Sequence, residues 1–495
     1  MTRQPLAFLL CMLGLVCVDG LDIQGFRDHQ YNVDHLDLTP LLVGFPTSPP
    51  VYLEEDHTLY VHTTRGYTQC LNTTTQELLW SSPPYVKGEL SLASPLVQGE
   101  FLYTSISALR KDPQLVKLNR FTGERVWTHV FPLYHPHGSI QTTPLVHEGM
   151  ICAASQSLMH LWIPNPGAPC PRATVACIKE TKEGEMPFLW TFHPVPEGRC
   201  GGHVLDRHLM LSADDTIVMS IGPYSDERGW HQEGTEAYPS SIVVLDASTG
   251  FMEMHIPGGW TKTLSREPYG YLPDPLIILD GRAIITQTEL GIVEGIGIDG
   301  LTPRRWWRTS IGPTNDNPIL HSASCTDGNR YFYILSYSDV VSSGWWTSLG
   351  ELIWGVDRTS SYGYVGALDI ASGNVLWKTP TLCQPQTTPI YHNAFVLFLC
   401  TLEHEDTKTL DVSLIIVDPA MGNIVYTYTH SIHSVEYRFP TVYTPVIAGN
   451  HVYVAFTSDD IPSHGVEISK HAEEVGMWVI RFQHKDTPVQ HRAEL

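Results

Sequence analysis

The sequence predicts an all-β fold, a closed β-propeller of about eight four-stranded blades, and two recurring patterns lead to that prediction. In the first, an Asp or Asn in a hairpin precedes a bulky residue by eight positions, as Asp369 precedes Trp377. The second is a proline-headed strand, as in Thr388-Pro389-Ile390-Tyr391. The 39 glycines and 36 prolines are scattered along the chain, which favours many short strands over helices. Four-strand units that recur every ~45 to 70 residues are typical of propellers.

The hairpin pattern has a physical basis in its turn. The carboxylate of Asp369 can accept hydrogen bonds from backbone N–H groups two residues on. Gly373 supplies the positive φ that a tight turn needs and that a residue with a Cβ resists. The strand that follows ends on the large aromatic Trp377. The same spacing occurs six times, from Asn72 to Trp80, Asn119 to Trp127, Asp246 to Met254, Asp299 to Trp307, Asp369 to Trp377 and Asp418 to Tyr426.

The proline-headed strands mark where each unit begins. Proline at the first position of a strand costs no ladder hydrogen bond, so its placement there is tolerated. The units start near residues 50, 95, 144, 202, 275, 318, 389 and 445. The start near 202 rests on Gly201-Gly202-His203-Val204, a degenerate copy without the proline, so seven blades remain an alternative.

The last unit lacks its own outer hairpin. Residues 477–482 read as its third strand, but no Asx–Trp hairpin follows. Because a four-stranded unit must stack on neighbours to bury both faces, we expect residues 29–38 to supply the missing strand and close the ring. The predicted organisation is a signal peptide over 1–20, an N-terminal segment over 21–49 that contributes this strand, the propeller over 50–483 and a tail over 484–495.

The start of the chain and its cysteines predict a secreted or endoplasmic-reticulum luminal protein. Arg3 precedes a short apolar run over 6–18, as in a signal peptide. No later segment reaches the ~20 apolar residues of a transmembrane span. Removal of the leader leaves eight of the ten cysteines, an even set that suggests disulfides, and Cys170 with Cys177 is the predicted pair. Asn72 heads the one glycosylation sequon.

Other charged and histidine-rich positions are interpreted as turns and surface loops. Zinc sites need matched thiolate or carboxylate partners, and calcium sites need six or more oxygens. The pairs in question are His135 with His137, His430 with His433, Asp214 with Asp215, and Asp459 with Asp460. The formal net charge of −22 argues against a nucleic-acid partner, because no basic stripe exists to displace counterions from phosphates.

An insert at 340–362 is the candidate partner-binding element. Its apolar residues Trp345, Trp346, Leu349 and Trp354 recur at helical spacing in an otherwise β chain. One interpretation is a short helix that packs back on its own blade. The other is an anchor that faces a partner protein or contacts a membrane peripherally, since exposed tryptophans are typical of interface hot spots.

A small-Pro-apolar strand followed by Leu-Asp-x-x-Thr/Ser-Gly-x-x-x-Trp resembles the pyrroloquinoline-quinone-like (PQQ-like) repeat. Residues 368–377, 118–127 and 245–250 match that repeat best, and the resemblance spans most of the mature chain. It implies a propeller of seven or eight blades whose tryptophans dock into the adjacent blade. The docking residues implied in this chain are Trp80, Trp127, Trp190, Trp307 and Trp377.

The resemblance implies two kinds of function. Quinoprotein dehydrogenases hold PQQ and a calcium ion over the central channel, many of them with two adjacent cysteines against the cofactor. Other members hold proteins and use no cofactor. Here no two cysteines are adjacent, and the calcium-ligating Glu/Asn/Asp set and the catalytic Asp have no counterpart at matching positions. We therefore predict a non-catalytic protein-binding scaffold without PQQ or calcium. The alternative is a quinone- or metal-dependent oxidoreductase that uses the central channel.

Overall fold

A computed structural model describes residues 21–484 of the chain, except residues 22, 29, 85–88, 92, 109–110, 132–137, 141, 158–172, 181–185, 195–198, 202–203, 205–208, 213, 223, 227–236, 239, 258, 261–267, 270–275, 279–282, 289–290, 299–301, 313–318, 339–360, 405–408, 434–440 and 458–476. The predicted signal peptide, most of the insert at 340–362 and nearly all of the C-terminal tail lie outside the described residues.

The described strands form eight antiparallel blades with four strand positions each, which confirms the predicted all-β propeller and its blade number. Blade 1 has Val51–Leu53, Thr58–His62, Thr68–Asn72 and Glu77–Ser82; blade 2 has Glu89–Leu90 with Leu96–Gln98, then Phe101–Ala108, Lys111–Asn119 and Arg125–Val130; blade 3 has Gly138–Ile140 with Leu145–His147, then Met150–Ser157, Thr174–Lys179 and Phe188–Phe192; blade 4 has Met210–Leu211, Thr216–Ile221, Ser241–Asp246 and Met252–Ile256.

The second half of the ring repeats this meander. Blade 5 has Leu276–Ile278, Ala283–Gln287, Ile292–Gly297 and Arg304–Ser310; blade 6 has Ile319–Thr326, Arg330–Ser338, Ser361–Asp369 and Val375–Thr381; blade 7 has Gln384–Pro385 with Ile390–His392, then Phe395–His404, Thr409–Val417 and Ile424–His433; blade 8 has Thr441–Val442 with Val446–Ala448, then His451–Thr457, Met477–His484 and Tyr31–Asp37.

A few smaller elements lie between these strands. A three-stranded sheet continues the hairpin of the second and third strands of blade 4, and a two-stranded sheet lies between blades 4 and 5 in the sequence. The remaining elements are short helical turns near the start of the chain. These elements are Arg199–Gly201, Tyr224–Asp226 and Ala237–Tyr238; Gly259–Trp260 and Pro268–Tyr269; the α-helix Ile23–Arg27; and the 3-10 helices Thr39–Leu41 and Glu54–Asp56.

The proline-headed pattern marks a break inside the first strand of a blade. In blades 2, 3, 7 and 8, two short pieces pair with the same second strand, and a Ser-Pro or Thr-Pro dipeptide lies between the pieces. In two blades a threonine side chain bonds a backbone group that the break leaves without a ladder partner. Thr142 Oγ1 accepts the N–H of Ala154 at 2.9 Å, and Thr387 Oγ1 accepts the N–H of Leu399 at 2.9 Å.

Blade 4 has strand pairing on both sides of its predicted start near residue 202. Arg199–Gly201 pairs with Tyr224–Asp226, which continues the second strand, and Met210–Leu211 pairs with Thr216–Ile221. Val204, from the degenerate copy of the pattern, makes only an isolated bridge to Ile221. The unit is therefore a true blade, and the count of eight holds.

The first strands surround the propeller axis, and the fourth strands form the outer edge. Val51–Leu53 contacts the first strands of both neighbouring blades, Leu96–Gln98 and Val446–Ala448. A hydrogen bond links the same region, because Ser94 Oγ donates to the carbonyl of Pro49 at 3.0 Å. The contact between blades 8 and 1 shows that the ring is closed.

Blade 8 is built from both ends of the chain. Tyr31–Asp37 pairs antiparallel with Met477–His484 and occupies the fourth position of the sheet. This strand lies within the N-terminal segment from which we expect ring closure, and the domain boundaries themselves stay a prediction. Phe26, from the preceding helix, is fully buried and packs edge-on against Phe395 and Phe482. The N-terminal segment thus also joins the apolar core between blades 7 and 8.

A β-bulge precedes the bulky residue on the fourth strands of blades 1–7. The pairing with the third strand skips one residue there, for example Leu376 immediately before Trp377. A bulge adds one residue to a strand and re-aims the side chains beside it. The bulky side chain turns toward the next blade, and the extra residue is left at the outer edge. The bulge residues are Leu79, Val126, Leu189, Glu253, Trp306, Leu376 and Val425.

The tryptophan of one blade lies against the turn glycine of the next. A Cβ placed on Gly373 would lie 2.5 Å from Cδ2 of Trp307, and one placed on Gly422 would lie 2.5 Å from Cε3 of Trp377. Gly373 also has a φ of +71°, in the left-handed region. These turns therefore require glycine for two independent reasons, the backbone conformation and the approaching indole.

We expect Gly373→Ala to lower the free energy of unfolding by about 2–4 kcal/mol, because left-handed strain and overpacking against Trp307 each contribute about 1–2 kcal/mol. Gly99→Ala is the matched control, since Gly99 has a φ of +58° and nothing within 4 Å of its Cβ position. That control should lose only the strain. Denaturant unfolding of both variants measures the difference, and equal losses would contradict a role for the indole contact.

Candidate functional site

The five tryptophans expected to dock between blades all lie on fourth strands and reach the next blade. Four of them donate the indole N–H to a backbone carbonyl in the turn that joins the third and fourth strands of that blade. The pairs are Trp80 with Arg120 at 2.9 Å, Trp190 with Ala247 at 2.8 Å, Trp307 with Ile370 at 2.8 Å and Trp377 with Pro419 at 2.9 Å. Their contribution to stability stays a prediction.

Trp127 reaches the next blade differently. Its indole N–H donates to Oε1 of Glu180 at 3.1 Å, and the same oxygen accepts a hydrogen bond from Nζ of Lys117 at 2.7 Å. Lys117 is nearly buried, and its ammonium also lies 3.8 Å from the ring centre of Phe101. An ion pair therefore replaces the backbone carbonyl at the interface between blades 2 and 3.

The candidate functional site is the outer rim, which we define as the bulge residues and the exposed apolar residues beside them on the fourth strands. Leu79, Val126 and Leu376 are 51%, 50% and 49% exposed. Their neighbours on the same strands are also exposed and apolar, and they include Leu78, Phe188, Val375 and Ile424. The rim therefore presents apolar side chains on successive blades, beside the free edge of each sheet.

The outer rim was not predicted, although the sequence contains a signal for it. The residue immediately before the docking residue is apolar on six of the seven bulged strands, the exception being Glu253. On a regular strand this residue would point to the opposite face from its neighbour. If the bulge is not known, an apolar residue immediately before the docking residue is predicted to be buried in the core. Exposed apolar groups of this kind mark interaction surfaces in soluble proteins.

The insert that holds the predicted partner-binding residues leaves from blade 6. Trp345, Trp346, Leu349 and Trp354 lie outside the described residues, so their role stays a prediction. The strands that flank the insert, Arg330–Ser338 and Ser361–Asp369, are the second and third strands of the blade. The gaps at 158–172, 227–236 and 458–476 also join second and third strands. All four connections therefore leave from the same face of the propeller.

A small cleft, partly open to solvent, lies between blades 1 and 2. His62 is buried beside it, with Nδ1 3.0 Å from the hydroxyl of Thr68 and Nε2 2.7 Å from the hydroxyl of Thr104. The Thr104 hydroxyl also lies 3.3 Å from that of Ser91. Burial lowers the pKa of His62 to about 3. The imidazole is therefore neutral at physiological pH, and its Nε2 links blade 1 to blade 2 while its Nδ1 contacts a hydroxyl within blade 1.

The predicted pair of Cys170 with Cys177 is wrong. Cys177 forms a disulfide with Cys152, because the two residues lie directly opposite each other on neighbouring strands of blade 3 with their Cα atoms 4.1 Å apart. Closeness in sequence favoured Cys170, whereas strand register decided the pairing. A second disulfide joins Cys383 to Cys400 in blade 7. Two disulfides are compatible with a secreted or luminal protein.

The sequon asparagine lies in a formed turn at the tip of blade 1. Asn72 Oδ1 accepts the backbone N–H groups of Thr74 and Thr75, each at 2.8 Å. Asp246 and Asp369 make the same kind of turn through a carboxylate oxygen, which accepts the N–H of the residue three positions on at 2.7 and 2.8 Å. Asn72 thus performs the turn function that aspartate performs elsewhere, and it adds a glycosylation acceptor.

The remaining singled-out residues take structural roles or lie outside the described part of the chain. His430 packs against Trp478 with ring centres 4.1 Å apart, and Asp215 pairs with His147 at 3.2 Å. Within the described ranges no group of three or more His, Cys, Asp or Glu side chains is placed to hold a metal ion. Nor does any helix in those ranges have the length and apolar character to cross a bilayer. Residues 135, 137, 459 and 460 lie outside the described ranges.

Protonation of His62 should destabilise the propeller in acid. The folded-state pKa is about 3 and the ordinary value is 6.5, so the stability contribution is complete above pH 6.5 and is lost as pH falls toward 3. Between neutral pH and pH 5 we expect a loss of about 2 kcal/mol that His62→Gln does not share. Urea unfolding of both proteins at the two pH values measures this difference, and parallel losses would rule out His62 as its source.

Comparisons with known proteins find likeness in structure but not in sequence. No protein-family model matches the sequence, and no curated protein matches it. The quinohemoprotein alcohol dehydrogenase from Comamonas testosteroni matches with a TM-score of 0.57 at 14% identity, over 94% of this chain and 78% of that chain. A europium-containing methanol dehydrogenase matches with a TM-score of 0.54 at 11% identity, over 94% and 95% of the two chains.

A third solved structure widens the range of similar proteins. Sqt1 from Saccharomyces cerevisiae matches with a TM-score of 0.53 at 9% identity, over 94% of this chain and 98% of that chain. At such identities the likeness shows the fold and carries no activity with it. Together with the repeat pattern and the eight blades, it agrees with the resemblance found in the sequence. The chain has the fold of the PQQ-like β-propellers.

Proposed function

We propose that this protein is a non-catalytic protein-binding scaffold of the secretory pathway, secreted or held in the endoplasmic-reticulum lumen. The observation that carries the proposal is the outer rim, where the apolar bulge residues Leu79, Val126 and Leu376 are about half exposed. A surface under no constraint other than solubility would carry polar residues at the free edge of a sheet, since apolar edges promote aggregation. Apolar residues kept at these edges are best explained by partners that cover them.

The compartment is supported by independent features. Disulfides persist in oxidising compartments, and two lie between strands of this propeller. The apolar stretch at the start of the sequence and the sequon at Asn72 also support a secretory compartment. Structural disulfides are rare in proteins of the reducing cytosol.

An oxidoreductase that uses the central channel is the second candidate. It is favoured by the fold shared with the quinohemoprotein alcohol dehydrogenase and the europium-containing methanol dehydrogenase. Against it stands the sequence, which has no adjacent cysteines and no match to the ligand set of the quinoprotein dehydrogenases. Fold likeness alone does not restore that chemistry.

Site-specific crosslinking tests the scaffold function. A photoreactive phenylalanine analogue placed at Leu376 or Leu79 in secretory cells should form adducts with partner proteins. The same analogue at Gln98, an exposed residue at the end of a first strand, should form few. Adducts of equal yield at all three positions, or none at the rim, would refute the proposal.

The second candidate has its own readout. Purified protein incubated with PQQ and calcium or a lanthanide should neither retain a chromophore through gel filtration nor reduce an electron-accepting dye with alcohols. Retention of the chromophore together with dye reduction would establish the oxidoreductase and refute a non-catalytic function.

Glycosylation at Asn72 reports whether the chain enters the secretory pathway. Protein from eukaryotic secretory expression should shift on a gel after treatment with peptide-N-glycosidase. Asn72→Asp should abolish the shift and keep the melting temperature, because aspartate forms the same turn at Asp246 and Asp369. Thr74→Ala is the second variant, since it removes the sequon and leaves the asparagine. An unshifted wild-type protein would count against this route.

A further inference from the structure

Among the described outer strands, the fourth strand of blade 3 alone carries no charged residue and no histidine. Phe188–Phe192 has the sequence Phe-Leu-Trp-Thr-Phe. Each of the other seven described fourth strands contains at least one charged residue or histidine. Charged residues on an outer strand are a usual means of preventing it from pairing with another chain. Blade 3 therefore lacks a protection that the other blades have.

The outer edge of this strand is free in the described part of the chain. Phe188–Phe192 pairs with Thr174–Lys179 on one side, and no described strand pairs with its other side. Phe188 and Leu189 are 46% and 41% exposed, and Thr191 is exposed as well. Backbone N–H and C=O groups along such an edge can pair with an added extended segment.

The two faces of the strand are turned toward different blades. Phe188 and Trp190 pair with consecutive residues of the third strand, so their side chains point to opposite faces. Phe188 packs edge-on against His129 of blade 2, with ring centres 5.2 Å apart. Trp190 lies on the turn of blade 4, where a Cβ added to Gly250 would be 2.4 Å from Cδ2 of the indole. One face of the edge strand is therefore turned toward blade 2 and the other toward blade 4.

Exposed apolar side chains lie beside both faces. On the blade 4 side, Phe251 and Met252 are 72% and 43% exposed, and Phe251 directly follows the glycine that the Trp190 indole contacts. Met252 points toward blade 3, because Met254 on the opposite face packs in the core shared with blade 5. On the blade 2 side, Phe188 itself is about half exposed. A strand added to this edge would therefore meet apolar side chains on both of its faces.

These surroundings determine the chemistry of the segment that the edge can accept. Successive side chains of an added strand point alternately to the two faces, so both sets would pack against apolar groups. A strand that is covered on both faces has a continuous apolar run rather than an alternating one. A charged side chain in the segment would lose hydration without gaining an ion pair from Phe188–Phe192, which has no charged residue.

A second copy of this chain is a poorer occupant of the edge. Two convex outer rims would touch mainly along their five-residue strands. A contact of that extent falls short of the roughly 1,200 Å² that a stable interface buries. An extended segment of another protein instead lies along the edge and reaches the apolar side chains on both sides of it.

We propose that the outer edge of blade 3 binds a short, extended and uncharged apolar segment of a partner protein. The segment pairs with Phe188–Phe192 as a fifth strand, and its alternate side chains pack beside Phe188 on one face and beside Phe251 and Met252 on the other. Segments of this kind are exposed by proteins that have not finished folding or assembling. The inference rests on the proposed scaffold function and names the chemistry of the bound segment for one blade.

Fluorescence anisotropy with the full-length protein, purified from eukaryotic secretory expression, tests this binding. The probe is a fluorescein-labelled peptide with about six residues that alternate leucine and valine, flanked by glycine and serine. Two counterparts carry glutamate or lysine at every second position, and a third carries N-methyl groups on every apolar residue. We expect the unmodified apolar peptide to bind at least about tenfold more tightly than all three, because the methylated peptide stays apolar but cannot pair as a strand.

Two variants of blades 3 and 4 locate the site, and two matched variants control for it. Leu189→Lys places a charge on the edge and should raise Kd about tenfold, whereas Phe251→Ser removes apolar surface beside it and should raise Kd about fivefold. The controls are Leu376→Lys, at the bulge of blade 6, and Met421→Ser, in the exposed turn of blade 7. Both should leave Kd within about twofold of the wild type, since neither residue lies near blade 3. Thermal unfolding confirms that every variant is folded.

Equal binding of the charged peptides, full binding of the methylated peptide, or equal losses in the matched controls would overturn the inference. A dimer that Leu189→Lys dissociates in sedimentation velocity would assign the edge to a second copy and overturn it as well. If the apolar peptide does not bind while rim crosslinks at Leu79 and Leu376 persist, this inference fails and the scaffold function stands. If those crosslinks are also absent, both fail.

Discussion

The contact between a tryptophan on one blade and a turn glycine on the next is the constraint on which the propeller depends. The glycine is needed because its φ is positive, as at Gly373, and also because the indole of Trp307 occupies the space of a Cβ. The indole N–H then finds its acceptor in the carbonyl of Ile370 in the same turn. One short turn therefore shapes its own blade and receives the preceding one, so neither blade is complete alone.

The fourth strands need a β-bulge to make that contact. To aim Trp377 at its neighbour, the strand carries the extra residue Leu376 and shifts its pairing by one. The extra residue cannot enter the core, and it stays about half exposed on the outer rim. The device that joins the blades thus also creates the surface that we propose for partners. On blade 5 the bulge position holds Trp306, and the same strand contains arginines at 304, 305 and 308. This strand therefore differs in composition from the other fourth strands while the fold of the blade is the same.

The parts of the site that could be predicted from sequence are those that depend on local spacing. The recurring positions of Trp80, Trp307 and Trp377 follow from an Asx turn at a constant interval, and their docking role follows from the resemblance to the PQQ-like repeat. The polar link from His62 to Thr104 could not be found in this way, because the two residues belong to different blades. The predicted disulfide was wrong for a similar reason. Cys152 and Cys177 are 25 residues apart in sequence, and only the register of the two paired strands places them opposite each other.

The sequence by itself determined the all-β class, the repeat and a count of about eight units. These follow from turns and periodicities that act within about ten residues, a range over which backbone preference and side-chain alternation dominate. Only the tertiary structure decided the bulges, the disulfide partners and the arrangement around Glu294. Such features depend on which strands come to lie side by side, and burial and hydrogen bonding across the whole ring decide that choice.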